Sequence, residues 1–323
     1  MSRVLLIDPI PPTLIERLRP LFPTGAGFDV VPTYSEKDLA QHAAEAEILL
    51  VLNRKVDARL LSFVPRVRFV QRVGVGYDNL DLGALQTAEV VVAYTPGANA
   101  VAVAEHTILL MLALLKRFVA AESAARQGGW PTMELFQAGL GDLANATVGL
   151  VGFGNIGRAV AQRLAPFGSR LLYIARHAVD VATEQQFGVH YASLDELLAS
   201  STIVSLHLPL NEATEGLIGE AELAKMPVGA FLVNTSRGEL LDEAALRRAL
   251  VSGKLGGAAL DVLRNERPGG NPFMDLPQVI VTPHLAGGSR AGVERALQMA
   301  IANIARFLRG ESPLDLVPMP SAS

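Results

Sequence analysis

Three polar residues stand just beyond apolar, strand-like runs in the second half of the chain. Arg237 follows residues 231–234, Glu266 follows 258–261 and His284 follows 279–281. Ligands of open α/β sheets bind outside the carboxyl ends of the strands, so these side chains can converge on one crevice. Their chemistry is complementary. An imidazole changes charge near pH 7 and can donate or recover a proton. A guanidinium fork grips both oxygens of a carboxylate and can polarise a neighbouring keto oxygen. A carboxylate beside the imidazole orients the ring and favours its charged form. Together they suit reduction of a small 2-oxo acid by a hydride donor, and the reverse oxidation. Read singly, each has a plainer alternative: a loop histidine, a surface arginine at a helix start, a solvated glutamate. His106 and His207 read as structural.

A hydride donor has its own signature. Residues 152–157 read Gly-Phe-Gly-Asn-Ile-Gly, directly after an apolar strand and at the start of an amphipathic segment. That context makes a dinucleotide-binding turn. Gly152 allows the tight turn, Gly154 lets a pyrophosphate approach the backbone, and Gly157 lets helix and strand pack closely. Free N–H groups near Asn155 and Ile156 then face the phosphates. At the end of the next strand, where NAD-binding turns carry an acid for the ribose 2′-hydroxyl, the chain has Ala175, Arg176 and His177. A small residue followed by a cation accepts a 2′-phosphate. NADP(H) is therefore the preferred cofactor, with NAD(H) as the alternative.

These residues need sheets to hold them. In the first third, residues 4–7, 29–31, 48–51, 69–73 and 90–93 are strand candidates separated by helix-like stretches. Such alternation predicts βαβ units and a parallel sheet. A second series follows, with strands at 147–151, 170–175, 203–206, 231–234, 258–261 and 279–281, and helices at 155–165, 194–198 and 243–252. Residues 98 to about 127 read as one long apolar helix, stopped by Gly128 and Gly129. Such a helix needs two surfaces to cover it, between domains or between subunits. The last helix, about 290–308, is expected to return the chain to the first domain. The tail after Leu316 is rich in Pro and Ser and is expected to be disordered.

Composition narrows the class. The 323 residues are 50% hydrophobic, enough for two domains. Twenty-eight basic and 32 acidic residues give a net charge of −4 with no basic stripe, which argues against nucleic acid. There is no cysteine, and the six histidines are dispersed, so no metal site is expected. Residues 1–9 read as a strand and a turn rather than a signal peptide. The apolar run 108–115 is too short to span a bilayer. A cytoplasmic enzyme is the expectation.

With these motifs in order, the sequence resembles the D-isomer-specific 2-hydroxyacid dehydrogenase family. The segments that carry the likeness are VGFGNIGRAVA (151–161), NTSRGELLDEAAL (234–246), GGAALDVLRNE (256–266) and TPHLAG (282–287), with the looser GVGYDNLD (74–81) and NAVAVAEHTI (99–108). The resemblance implies two doubly wound parallel-sheet α/β domains that close over a cleft. One is a Rossmann cofactor domain, 99–288; the other is a flavodoxin-like substrate domain, 1–98 with 289–323. It implies that Arg237 binds substrate, Glu266 pairs with the histidine and His284 is the acid/base. Backbone groups near Val75 and Gly76 hold the substrate carboxylate, with Asn53 and Arg54 as further candidates for the substrate-facing wall. Asn155, Ile156, Pro209, Thr214, Thr235 and Asp261 contact the cofactor. A homodimer through the cofactor domain and helix 99–127 is also implied.

Departures from the family pattern refine the reading. Ala175 replaces the usual acid, in line with NADP(H). Phosphite-oxidising relatives carry a lysine where this chain has Val75. Members acting on 3-phosphoglycerate carry an arginine near Val51, and no long regulatory extension follows residue 310 here. The glyoxylate and hydroxypyruvate reductase branch is the best analogy, forming a D-2-hydroxy acid. The alternatives are a dehydrogenase of another small oxyanion and a non-catalytic dinucleotide sensor of the corepressor type.

Overall fold

A computed structural model describes residues 3–320 and contains two parallel sheets, each in its own unit. One unit comprises residues 3–99 and 290–320; the other comprises 100–289.

The smaller unit is built on β1 (Arg3–Leu6), β2 (Gly27–Val30), β3 (Ala46–Val51), β4 (Phe69–Arg72) and β5 (Val91–Ala93). They run in parallel in the order β2-β1-β3-β4-β5, the flavodoxin-like order. Val4, Leu6, Ile48 and Leu50 face one core while Leu5, Ile7, Leu49 and Val51 face another. Burial on both faces is why these strands read as continuous apolar runs rather than alternating ones. The helix Arg290–Leu308 closes this unit. Its Ala300 and Ile304 are fully buried, and Phe307 stacks on Phe69 with centroids 4.9 Å apart.

The larger unit carries β6 (Thr147–Val151), β7 (Arg170–Ile174), β8 (Val189–Tyr191), β9 (Ile203–Leu206), β10 (Ala230–Asn234), β11 (Leu255–Leu260) and β12 (Val279–Val281). The order is β12-β11-β10-β9-β6-β7-β8, all parallel. Counted from β6, this is the 3-2-1-4-5-6 dinucleotide-binding order with a seventh strand added at the β11 edge. The order in which strands are added reverses between β6 and β9, the switch point at whose carboxyl ends such sheets bind their ligands. Every strand-end residue singled out in this half of the sequence therefore lies along one edge of one sheet.

Three expectations change. The sequence predicts six strands here; the seventh, β8, is a three-residue edge strand behind Gly188, too short for any hydrophobic period to register. The single helix over 98–127 is two, Ala100–Leu115 and Phe118–Arg126, broken where Arg117 turns left-handed at φ 47°. The break is tertiary in origin. The Arg117 guanidinium donates to the carbonyls of Ala138 and Gly139, and the Gly141 N–H donates to Leu115 O. The first helix is buried against β10, β11 and the helix Asn155–Leu164, while the second has no buried residue. The tail beyond Leu316 is not loose over its described part. Val317 N donates to Val92 O, its side chain is buried, and Pro320 O accepts from Gln86. Residues 321–323 of that expected disordered tail lie outside the described residues. No helix among the described residues is long and apolar enough to cross a membrane.

Candidate active site

The turn after β6 is shaped by backbone proximity. Gly152 has φ 108°, and a Cβ there would sit 2.5 Å from His207 O. A Cβ on Gly157 would sit 2.3 Å from Gly152 O, so the helix Asn155–Leu164 approaches its own strand closer than any other residue permits. Gly154 has nothing within 4 Å of a built Cβ. It is also the N-cap, in extended conformation and without a side-chain cap. The first N–H groups of a ten-residue helix thus have no side-chain cap, which suits an anion. A dinucleotide pyrophosphate fits these residues.

Beyond β7, Ala175 is half-buried and Arg176 and His177 are exposed. The first acid after them, Asp180, is engaged in capping the next helix, accepting from Thr183 N at 2.8 Å. Beyond β9, the Thr214 hydroxyl donates to Pro209 O at 2.7 Å and accepts from Asn211 N, closing residues 209–214 into a self-supported turn. Beyond β10, Thr235 Oγ1 lies 3.0 Å from Thr107 Oγ1 on the helix Ala100–Leu115.

Arg237 enters from the same β10 turn. Asn234 shapes it, accepting from Ser236 N and donating to Arg237 O, while the Ser236 hydroxyl is anchored on Leu206 O. Gly238 then packs so tightly that an added Cβ would lie 2.1 Å from the carbonyl carbon of Leu263. This glycine brings the Arg237 turn against the 263–266 segment that carries Glu266.

His284 follows β12 in a left-handed conformation, φ 50°. Its N–H donates to Asp261 O at 2.8 Å, and its Nδ1 lies 2.7 Å from Glu266 Oε2. That hydrogen bond is the main cause of a raised His284 pKa; partial desolvation and the nearby Arg237 charge oppose it, and the Glu266 and Asp261 charges assist. With Nδ1 occupied, Nε2 is the ring nitrogen left for proton exchange. The side chains of His284 and Glu266 stay 48% and 41% exposed, so a small molecule can reach them.

The structure brings Arg237, Glu266, His284, Thr235 and Asp261 together in the larger unit. It gives Asp261 a task the sequence did not reveal. The side chain is 1% exposed, and both oxygens are spent on the loop that carries His284. Oδ1 accepts from Thr282 Oγ1 at 2.6 Å and from Leu285 N; Oδ2 accepts from Ala286 N. His106 joins this cluster, with Nε2 3.1 Å from Thr282 Oγ1. His207 is buried, and desolvation lowers its pKa to about 3, so it is neutral. Asn53, Val75 and Gly76 belong to the smaller unit, just beyond the carboxyl ends of β3 and β4. Arg54 lies there too, and its guanidinium donates to Ile7 O and Tyr34 O.

Because His284 is raised above 6.5, the ion pair adds stability that is fully present below pH 6.5 and lost as pH climbs through the folded value. At this exposure the contribution is about 0–1 kcal/mol. Glu266→Gln removes the main cause of the shift. Ring titration of His284 by NMR is expected to fall back toward 6.5 in that variant; an unmoved titration curve refutes the pairing.

Residues 108–286 match the family model described as D-isomer specific 2-hydroxyacid dehydrogenase, NAD binding domain. Over 98% of its length the chain is 36% identical to the glyoxylate reductase of Korarchaeum cryptofilum, covering 95% of that protein. It is 32% identical to the D-3-phosphoglycerate dehydrogenase of Archaeoglobus fulgidus over 99% of its own length, but spans only 60% of that relative. A crystal structure of a glyoxylate reductase from Paecilomyes thermophila matches with a TM-score of 0.86 at 32% identity, over 98% of each chain. A dinucleotide turn, an imidazole–carboxylate pair at the strand ends and near full-length likeness agree, and this chain belongs to the D-isomer specific 2-hydroxyacid dehydrogenase family, as a dehydrogenase that binds a nicotinamide nucleotide.

Proposed function

We propose that the protein reduces a small, unphosphorylated 2-oxo acid of the glyoxylate or hydroxypyruvate type to the D-2-hydroxy acid, with NADPH as the preferred donor. The observation that carries this reading is the His284–Glu266 pair, 2.7 Å apart, with its imidazole held toward the protonated form. When bound, the reduced nicotinamide supplies the hydride. Arg237 engages the substrate carboxylate and polarises the keto oxygen. His284 Nε2 delivers one proton to that oxygen as it gains charge, and Glu266 stabilises the imidazolium until the proton leaves. The oxidation runs through the same groups, with neutral His284 taking the proton. Val75, Gly76 and Asn53 serve as the smaller unit's contacts to substrate.

Gly152, Gly154, Asn155, Ile156, Gly157, Ala175, Arg176, His177, Pro209, Thr214 and Thr235 are the proposed dinucleotide contacts. Asp261, also expected among the cofactor contacts, has both carboxylate oxygens bonded to the loop of His284, and its proposed role is to hold that loop. Preference for NADPH rests on an exposed Arg176 and on the commitment of Asp180 to its helix. Preference for an unphosphorylated acid rests on Val51, fully buried in the core, and on Arg54, whose guanidinium is bound to backbone carbonyls. Val51 itself offers a phosphate no charge.

Large apolar side chains are exposed in the larger unit between residues 118 and 136: Phe118, Val119, Met133, Phe136 and, 86% exposed, Trp130. Exposed apolar side chains concentrated in one stretch of chain suit an interface, and a second copy of the chain is our reading of its partner.

His284→Ala and Arg237→Ala are each expected to lower turnover of glyoxylate by about 10²–10⁴-fold while leaving NADPH binding intact; near-normal turnover in either variant defeats the assigned roles. Arg176→Asp is expected to shift the ratio of kcat/KM for NADPH over NADH toward NADH, and an unchanged ratio removes the 2′-phosphate contact. Trp130→Glu with Phe136→Glu is expected to halve the mass seen by light scattering, whereas a wild-type monomer refutes the dimer.

A further inference from the structure

The order of the smaller sheet places its topological switch between β1 and β3, where flavodoxin-like sheets bind their ligands. In this chain that position holds a carboxylate of its own. Asp8, two residues beyond β1 and 1% exposed, accepts three consecutive backbone N–H groups from the loop after β3. Leu52 N donates to Oδ2 at 2.7 Å; Asn53 N and Arg54 N donate to Oδ1 at 2.9 and 2.8 Å. Three successive amides aimed at one anion form a nest, the geometry that elsewhere receives a ligand's phosphate or carboxylate.

The loop filled in this way is linked onward to the next strand end. Arg54 O accepts from Asn79 Nδ2 at 2.9 Å, and Asn79 Oδ1 accepts from Arg72 Nε at 3.3 Å. Arg72 also donates to Val73 O. Its guanidinium lies so close behind Gly74 that a Cβ there, at φ 150°, would meet it at 2.5 Å. Gly74 N in turn donates to Thr95 Oγ1 at 2.8 Å. One connected set of hydrogen bonds thus runs from Asp8 through residues 52–54 to residues 73–79. These two loops carry Asn53, Val75 and Gly76.

We propose that Asp8 is a positioning residue for substrate recognition: its carboxylate occupies the nest at the β1/β3 switch, and so fixes the 52–54 loop and, through Arg54 O and Asn79, the 74–76 backbone that meets the substrate. The proposal deepens the reductase reading and rests on it for the word substrate. The nest itself rests on geometry alone. A preorganised loop raises affinity by removing the ordering penalty at binding. Without the carboxylate, three buried N–H groups lose their acceptor, and the loop must reorder each time an acid binds.

The test is Asp8→Ala, with Asp8→Asn beside it. The asparagine keeps the size but sets an N–H₂ group against at least one of the three donors. For Asp8→Ala, KM for glyoxylate is expected to rise about tenfold or more, with kcat within about threefold and NADPH affinity by fluorescence titration unchanged. Amide hydrogen exchange at residues 52–54 is expected to accelerate, and added formate, a carboxylate small enough for the vacated nest, to slow it again in the variant but not in the wild type. A folded Asp8→Ala protein with wild-type KM and wild-type exchange overturns the proposal, and so does a matching loss of NADPH affinity. If Asp8→Ala fails to fold, Asp8→Asn decides by the same measurements. Absence of turnover with any 2-oxo acid in the wild type defeats the reductase reading alone, because exchange at 52–54 still judges the nest.

Discussion

The candidate site is organised around one hydrogen bond, from His284 Nδ1 to Glu266 Oε2. It fixes the ring, leaves Nε2 outward, and keeps the imidazole charged at a higher pH than a free histidine. Neither residue could form it from its own strand. Glu266 lies beyond β11 and His284 beyond β12, so the pair exists only because both strands run parallel and adjacent, ending at the same edge. The left-handed backbone at His284 is a local strain. It is held by Asp261, whose main-chain oxygen takes the His284 N–H and whose side chain takes the N–H groups of Leu285 and Ala286.

Close backbone approach is the second constraint. Gly152 and Gly157 let the dinucleotide turn collapse onto β6 and the neighbouring His207 carbonyl. Gly238 lets the Arg237 turn lie on the segment leading to Glu266. The second case matters more for the candidate site, because it sets the turn of Arg237 against the segment that leads to Glu266. Their fields act in opposite senses on His284: Glu266 favours the charged ring and Arg237 opposes it. The balance leaves a group able to give a proton and take it back.

The smaller unit follows the same logic with different means. The backbone at its strand ends is held by a buried carboxylate, Asp8, by the Arg72–Asn79 hydrogen bond and by Thr95, which accepts from Gly74 N.

Much of this was legible before any coordinates. Parallel strands buried on both faces leave long apolar runs, and a dinucleotide turn leaves its glycines, so the two sheets, the 152–157 turn and the residues Arg237, Glu266 and His284 could be read from residue order. Such features are local: each is a run, a spacing, or a polar residue just after a strand. What could not be read depends on partners distant in sequence. The break at Arg117 needs the carbonyls at 138 and 139, the edge strand β8 is too short to show a period, and the ordered stretch at 317 needs β5. Asp261 supporting the His284 loop, and Asp8 filling the nest at 52–54, involve separations of 21 to 46 residues between donor and acceptor. Sequence alone settled which chemical groups are present and which strand end each follows. Only the folded sheet decided which groups meet, because hydrogen bonds form across space at about 3 Å and residue order carries no measure of that distance.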